Sequence, residues 1–281
     1  MKSAELNSVL IVGCGWVGTK LAKSLITQNI SVYGTTRSTE KASSLRSVGI
    51  EPVIFDLDKN EADHSDLPKT DAIVISISPG RGEQRSQYPT HIRKLSKLLA
   101  SSNQQVIMYS STSAYKEKQG NMTEQDADPD SNSENVILAA EGELRKTLPE
   151  SIILRLGGLF GSDRHPVTYL VGRDNISNGN APVNLVHRED VIRATIEIIT
   201  RNVSNEIYNL CSDHHPTKKE LYTKLAEKLN LEKPTFQSGG SDEKLVDGSK
   251  IKNELGFVYT HNDLFDYSPR RSFLQRQEPK S

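Results

Sequence analysis

The first half of the chain alternates short apolar runs rich in β-branched residues with segments of helical periodicity. Val9–Val12 is an apolar run that ends at a glycine, which predicts a strand buried on both faces. Val17, Leu21 and Leu25 then recur four residues apart, so residues 16–28 are predicted to form an amphipathic helix. Such alternation is typical of repeated βαβ units, which build a parallel sheet.

The same pattern continues to Leu156 and predicts six strands in one sheet. Ser38 is a candidate cap for the second helix, and Gly49 is a candidate stop. Beyond the first strand and helix, strands are expected at Ser31–Thr35, Pro52–Phe55, Ala72–Ile77, Gln105–Tyr109 and Ser151–Leu156, and helices over residues 38–48, 91–99 and 135–148. Residues 116–133 form a polar loop, and a loop of this length is more often functional than idle.

Beyond Gly161 the alternation loosens, which predicts a change of architecture. Helical patterns return at residues 189–201 and 218–229, and a short strand pattern at Glu206–Leu210 lies between them. The charged tail from Pro269 is expected to fray.

We therefore predict a core domain over residues 1–161 and a smaller C-terminal lobe over residues 162–281, draped over the carboxyl ends of the strands. Residues 186–211 either belong to this lobe or return to the core domain.

Charge and cysteine usage narrow the possible partners and compartment. Lys and Arg number 35 against 36 Asp and Glu, so no global field draws in nucleic acid or an anionic membrane, and a small-molecule partner is expected. Cys14 and Cys211 cannot build a disulfide framework and belong to no zinc-type cluster, which predicts a reducing compartment and no metal. With no signal-like segment and no long apolar run, we expect a cytoplasmic protein.

A glycine motif joins the first strand to the first helix. Gly13-Cys14-Gly15-Trp16-Val17-Gly18 has the G-x-G-x-x-G spacing of dinucleotide-binding sites. Gly13 would allow the tight turn, Gly15 the approach of a pyrophosphate, and Gly18 close packing of helix on strand, with the phosphates held at the helix start by Trp16 and Val17. Trp16 either covers the pyrophosphate or only packs, and the alternative for the whole motif is a glycine turn without ligand. The motif predicts a doubly wound, parallel Rossmann sheet, with NAD(P) bound by residues 1–161.

The end of the second strand bears on cofactor choice. An NAD enzyme holds an acid there, whereas this chain has Thr36, Arg37 and Ser38. A guanidinium between two hydroxyls suits a 2′-phosphate, so NADP is favoured over NAD; the less favoured alternative is that Arg37 is a solvated helix-start residue. Asp56, after the third strand, either accepts from the adenine amino group or is a turn residue. Ile77 and Ser78, after the fourth strand, are expected to contact a cofactor ribose.

At this point the chain resembles the short-chain dehydrogenase/reductase superfamily, and within it the extended and atypical members described as NAD-dependent epimerase/dehydratase-like. Five stretches carry the resemblance, from residue 9 to about residue 260: the glycine motif Gly13–Gly18, Ile107–Tyr115, Leu138–Glu141, Leu154–Gly161 and Val183–Val191.

The resemblance implies roles for residues outside the glycine motif. Ser111 falls where the family keeps the catalytic Ser or Thr that binds the reacting oxygen, and Thr112 follows it toward the substrate. Leu156, Gly157 and Gly158 fall where backbone groups face the nicotinamide amide, and His187 lies on the substrate-side wall. The alternatives are a polar strand end that caps its own backbone around Ser111, and a structural histidine at position 187.

One departure from the family weakens the expectation of catalysis. Redox members carry Tyr-x-x-x-Lys after the fifth strand, and no Tyr of this sequence is followed four residues later by Lys. Aligning Leu138–Glu141 with the family places Ser133 and Ile137 at the Tyr and Lys positions. Tyr115 is then the candidate proton donor, and packing against the lobe is its alternative.

Three functions stay open: an NADP-dependent oxidoreductase or epimerase acting on a small carbonyl or sugar-like substrate, a non-catalytic NADP sensor, and a non-redox isomerase or dehydratase. The sequence does not identify the substrate or the direction of reaction, and both monomer and homodimer stay open.

Overall fold

A computed structural model describes residues 6–59, 67–80, 82–100, 104–116 and 118–266. The strands are β1 (Ser8–Val12), β2 (Ser31–Thr36), β3 (Glu51–Ile54), β4 (Ala72–Ile75), β5 (Gln105–Ser111), β6 (Asn121–Met122), β7 (Ile152–Leu156), β8 (Gly158–Phe160), β9 (Leu185–His187), β10 (Ile207–Leu210) and β11 (Leu245–Val246). The helices are α1 (Trp16–Ile26), α2 (Thr39–Arg46), α3 (Tyr88–Leu99), α4 (Val136–Thr147), α5 (Arg188–Thr200), α6 (Lys218–Lys228) and α7 (Ser249–Leu255). The predicted frayed tail from Pro269 lies outside the described residues.

The main sheet has seven strands in the order β3-β2-β1-β4-β5-β7-β10. Its strands run parallel, and Leu10 of β1 pairs with Tyr33 on one side and Ile73 on the other. The predicted α/β, doubly wound Rossmann class is confirmed. The sheet has one strand more than the six predicted. The seventh, β10, continues a parallel ladder in which the Ile153 N–H donates to Glu206 O at 2.9 Å.

The chain divides into two compact units. The first consists of Met1–Ala114, Ala127–Arg155 and Ile192–Tyr208, and the second of Tyr115–Asp126, Leu156–Val191 and Asn209–Ser281. The domain boundary after residue 161 and the alternative assignments of residues 186–211 stay predictions.

Both faces of the first unit's sheet are covered, which explains its uninterrupted apolar strands. Leu10 and Ile73 belong to a buried cluster with Ile92 of α3 and Leu144 of α4. Each such side chain contributes about 1.5–3 kcal/mol when fully buried. Helix α3 starts three residues before the predicted His91, because Pro89 fits the first turn of a helix, where its missing N–H costs nothing. The sheet thus holds the carboxyl ends of its strands in fixed positions.

The second unit is built from short pieces. Strands β6 and β11 form one two-stranded parallel sheet, and β8 and β9 form another. Phe160 and Val167 pack with Leu221 and Leu225 of α6 in its core. Part of the predicted polar loop over 116–133 supplies β6 and a short 3-10 turn at Glu124–Asp126.

Candidate functional site

A cavity of about 560 Å³ opens in the first unit where β1, β2 and β4 end. Its position follows the general rule that ligands of open parallel sheets bind beyond the carboxyl ends of the strands. It brings together eight of the sequence-predicted site residues: Gly13, Gly15, Thr36, Arg37, Ser38, Asp56, Ile77 and Ser78. Ser111 and Thr112 lie in the same unit but are not among the lining residues, whereas Tyr115, Leu156, Gly157, Gly158 and His187 belong to the second unit.

Two glycines of the motif are required by the chain's own packing. Gly13 has a φ of 86°, and a Cβ there would lie 2.7 Å from Cγ2 of Ile77. A Cβ on Gly18 would lie 2.9 Å from Cγ2 of Ile11 on β1. The turn is fixed further by Thr35, whose Oγ1 accepts the Gly13 N–H at 2.8 Å. These positions need glycine with or without a ligand.

Gly15 is different, because no atom of the described residues would crowd a side chain at this position. The nearest atom to a Cβ there would be the Gly13 carbonyl oxygen at 3.8 Å. Gly15 is also the N-cap of α1, and that helix start has no side-chain cap and no acidic residue in its first turn. Open space in front of a helix N-terminus is what a pyrophosphate needs, so the turn fits a dinucleotide. Trp16 and Val17 form the first turn of α1 behind this space.

The Thr36–Ser38 segment forms one rim of the cavity. Thr36 Oγ1 accepts the Ser38 N–H at 3.2 Å, and Ser38 Oγ accepts the Lys41 N–H at 3.3 Å, which caps α2 as predicted. The Arg37 side chain is 70% exposed and its Nη1 lies 3.2 Å from Oδ2 of Asp58. Arg37 is therefore a reachable cation with one carboxylate beside it.

Asp58 and His91 also line the cavity, although no sequence pattern predicted them as site residues. His91 Nε2 lies 2.8 Å from Oδ1 of Asp58. Asp56 Oδ1 accepts the Asp58 N–H at 3.1 Å, so Asp56 closes a turn here. The signal that could have found Asp58 was an acid two residues after Asp56, beyond the same strand end.

Cys14 is a packing residue of the turn. Its side chain is 1% exposed and faces Gly34, where a Cβ would lie 3.1 Å from Cys14 Sγ. Burial raises the pKa of the Cys14 thiol, which opposes formation of a thiolate.

Ser111 ends β5 and bonds to its own turn. Its Oγ accepts the Ser113 N–H at 3.1 Å and donates to Ser113 Oγ at 3.1 Å, while Thr112 beside it is buried. This is the strand-end arrangement named above as the alternative to catalysis.

Ser110, the residue before Ser111, belongs to a buried charged network that no sequence pattern predicted. Ser110 Oγ donates to Oε1 of Glu141 at 2.5 Å, and Arg155 binds the same carboxylate through Nε and Nη2 at 2.7–3.2 Å. Glu141 and Arg155 are both fully buried, and Arg155 also donates to Ala127 O at 2.6 Å. This network joins β5, α4 and β7 directly beneath the strand end.

Tyr115 is fully buried, and its hydroxyl donates to Oδ1 of Asn209 at 2.8 Å. Asn209 in turn donates its backbone N–H to Glu124 at 2.7 Å and its side-chain amide to Asp247 O at 3.0 Å. Burial raises the pKa of Glu124. This geometry gives Tyr115 a structural contact and does not favour the prediction that it donates a proton.

The backbone N–H groups of Gly157 and Gly158 already form hydrogen bonds within the second unit. Gly157 donates to Leu210 O at 2.9 Å, and Gly158 donates to Asn184 O at 2.7 Å. Any backbone contact from Gly157 or Gly158 to a nicotinamide amide would therefore use a carbonyl oxygen.

His187 is 4% exposed, and its Nδ1 accepts the Glu189 N–H at 3.3 Å. Burial, followed by repulsion from His261, lowers the pKa of His187 to about 4. His187, Glu189 and His261 each bring a potential ligand atom within 4.8 Å of the others. A His187 ring whose Nδ1 already accepts an N–H keeps its proton on the other nitrogen, which opposes metal binding there.

Residues 13–202 match a sequence family described as NAD(P)H-binding. Protein YeeZ of Escherichia coli strain K12 is 34% identical over 268 residues, covering 92% of this chain and 97% of its own. The chain belongs to the NAD(P)H-binding family.

Solved structures of other proteins share the fold of this chain. A UDP-glucuronic acid 4-epimerase from Bacillus cereus, solved with NAD, has a TM-score of 0.77 at 18% identity and covers 96% of this chain and 99% of its own. A functionally unknown conserved protein from Silicibacter pomeroyi has a TM-score of 0.72 at 20% identity, over 96% and 98% of the two chains. These proteins share the fold of this chain, and the NAD(P) binding that the resemblance implies is confirmed by the family match.

Among the residues that the structure describes, no helix combines the length and the apolar character that are needed to span a bilayer.

Proposed function

We propose that this protein binds NADP(H) and acts as an oxidoreductase or epimerase-like enzyme on a small carbonyl or sugar-like substrate. The observation that carries the proposal is the open space in front of Gly15 at the uncapped start of α1, in a cavity whose rim holds Arg37. A dinucleotide fits the first feature and a 2′-phosphate the second.

The roles of the cavity residues follow from their positions. The α1 start from Gly15 to Gly18 would hold the pyrophosphate, and Thr36, Arg37 and Ser38 the 2′-phosphate. Further contacts would come from Asp56 to the adenine amino group and from Ile77 and Ser78 to a ribose. The contacts to the nicotinamide amide from Leu156, Gly157 and Gly158, which do not line the cavity, are proposed from the family resemblance alone.

The cofactor, when bound, supplies or accepts a hydride at a substrate carbon. Ser111 would hold the substrate oxygen, with Thr112 and His187 on the substrate side. The structural likeness to a UDP-glucuronic acid 4-epimerase supports a sugar-like substrate class. The cofactor preference and the substrate class are proposals that the experiments below test.

Cofactor choice is tested by titrating NADPH and NADH into the protein and following fluorescence. A charge-assisted hydrogen bond is worth about 1.5–3 kcal/mol, so we expect NADPH to bind at least about tenfold more tightly. Arg37→Ala should narrow this preference. Arg46→Ala is the matched control, because Arg46 is an exposed arginine of α2 paired with Glu51 and does not line the cavity. Equal affinities, or tighter NADH, in the wild type would contradict the proposal.

A second function has its own support. A non-catalytic NADP-binding sensor is favoured because the Tyr115 hydroxyl is engaged by Asn209 and the Tyr-x-x-x-Lys pair, the usual proton donor of the family, is missing from the sequence. A non-redox isomerase or dehydratase on the same scaffold is the third candidate.

Turnover separates these functions. NADPH oxidation is measured against a panel of keto-sugars, aldehydes and imines with wild type, Ser111→Ala and Tyr115→Phe. We expect slow or narrowly specific turnover that Ser111→Ala abolishes. Tight NADPH binding without turnover on any substrate would favour the sensor. Turnover that neither variant changes would show that the site is assigned to the wrong residues.

A further inference from the structure

Arg37, on the rim of the dinucleotide cavity, forms an ion pair with the carboxylate of Asp58. Asp58 Oδ2 lies 3.2 Å from Arg37 Nη1, and both side chains line the cavity. Neither Arg37 nor Asp58 is buried, since their side chains are 70% and 57% exposed. The pair is therefore accessible to a ligand and free to rearrange when one binds.

The position of Asp58 is maintained from a second element. His91 of α3 contacts Oδ1 of Asp58 at 2.8 Å, which leaves Oδ2 toward Arg37. The Asp58 N–H donates to Asp56 Oδ1 at 3.1 Å, so the backbone is also held by the turn after β3. Two contacts besides the ion pair thus hold Asp58 beside the guanidinium, one on its side chain and one on its backbone.

A phosphate ester that reaches Arg37 meets this arrangement. Arg37 must release Asp58 or divide its donors, and the phosphate is placed near a carboxylate of like charge. A ribose 2′-hydroxyl suffers neither cost, because it is neutral and can donate to a carboxylate.

We propose that Asp58 is a specificity-determining residue, an intrinsic counter-ion of Arg37 that competes with the cofactor's 2′-phosphate and so limits the preference for NADP(H). This inference rests on the proposed binding of NADP(H) at this rim. It assigns to Asp58 a role opposite in sign to that of Arg37.

The test uses two small probes that isolate this end of the cavity. Adenosine 2′,5′-bisphosphate carries the 2′-phosphate and 5′-AMP lacks it, and both are titrated calorimetrically alongside NADPH and NADH. Exposed ion pairs are weak, so Asp58→Asn should tighten binding of the 2′-phosphorylated ligands by about two- to fivefold. Binding of 5′-AMP and NADH should stay unchanged or weaken.

Glu51→Gln is the matched control, because Glu51 is an exposed acid of β3 that pairs with Arg46 and lies outside the cavity lining. Glu51→Gln removes the same charge from the start of β3, outside the cavity lining, and should leave the ratio of the affinities for the two probes unchanged. Asp58→Ala, tested for thermal unfolding with Asp58→Asn, separates a change in affinity from a change in folding.

The Arg37→Ala background decides the mechanism. The gain from Asp58→Asn should become smaller when Arg37 is absent, since the competition for the guanidinium is then removed and only the repulsion between Asp58 and the phosphate remains. An Asp58→Asn variant that leaves 2′-phosphate affinity unchanged, weakens it, or improves it equally without Arg37 overturns the inference. If Arg37→Ala itself leaves the NADPH preference intact, the proposed function fails instead.

Discussion

The nucleotide cavity and the residues expected to perform chemistry differ in how much of their bonding capacity the chain itself uses. Gly15 faces open space, and the start of α1 has no side-chain cap. By contrast Ser111 bonds to Ser113, Tyr115 to Asn209 and the Gly157 N–H to Leu210. The nucleotide cavity therefore keeps space and backbone groups open for a ligand, whereas the residues expected to perform chemistry form hydrogen bonds with other residues of the chain.

Cofactor binding and catalysis can therefore depend on separate groups of residues in one protein. A protein can retain the helix start and glycine turn that bind a dinucleotide while the groups around the reacting atoms serve the fold. Binding then follows from local backbone geometry, whereas turnover would require some of these internal bonds to open. The predictions below address each side of the contrast.

The largest effect is expected from the buried ion pair beneath Ser111. Arg155→Met leaves the Glu141 carboxylate buried and uncompensated, which should cost about 3–5 kcal/mol in the free energy of unfolding. Urea denaturation measures this loss, with Arg37→Ala as the exposed arginine that should leave stability unchanged. A double Glu141→Leu/Arg155→Met variant should recover part of it. Equal stability of Arg155→Met and wild type would mean that the network does not support this strand end.

The glycine pair separates folding from binding. Gly13→Ala forces a Cβ to within 2.7 Å of Ile77 at a φ of 86°, and should cost about 2–4 kcal/mol. Gly15→Ala meets nothing closer than 3.8 Å, so thermal unfolding of the free protein should stay near wild type while NADPH affinity falls. If Gly15→Ala binds NADPH as tightly as wild type, the pyrophosphate is not held at this turn.

The contrast also explains what the sequence could predict. The elements β1, α1 and β2, the capping of α2 by Ser38 and the stop near Gly49 follow from local patterns, because each depends on neighbouring residues. Gly13, Arg37 and Ile77 line one cavity because parallel strands end at the same edge.

Contacts between distant segments could not be predicted in this way. Tyr115 and Asn209 are 94 positions apart, and Asp58 and His91 are 33 apart. No periodicity relates such pairs, so the engagement of Tyr115 and the counter-ion of Arg37 became visible only in three dimensions. For the same reason β10 was predicted as a strand but not as the seventh of the main sheet.

Tyr115→Phe directly tests the hydrogen bonding of a residue expected to perform chemistry. The substitution keeps the buried ring but leaves Asn209 Oδ1 without its donor, which should cost about 1–3 kcal/mol. The measurement is urea denaturation, and Tyr169→Phe, on an exposed ring, is the control that should change nothing. A stable Tyr115→Phe variant that loses turnover would return Tyr115 to the role of proton donor.

The smallest expected effect at neutral pH comes from His187, whose burial makes stability depend on pH only under acidic conditions. Burial lowers its pKa from an ordinary 6.5 to about 4 in the folded protein, so between these values the unfolded chain binds the proton and the folded chain does not. Stability from this group is therefore complete above pH 6.5 and is lost as pH falls toward 4. Each unit of pKa corresponds to about 1.4 kcal/mol, so the loss of stability between pH 6.5 and pH 4 should be on the order of 3 kcal/mol. His187→Asn keeps an acceptor for the Glu189 N–H without a titrating ring, so its unfolding free energy should fall less steeply between pH 6.5 and 4. Parallel curves for variant and wild type over this range would show that His187 is protonated equally in both states, and its ring would then be more accessible, as a substrate-side residue should be.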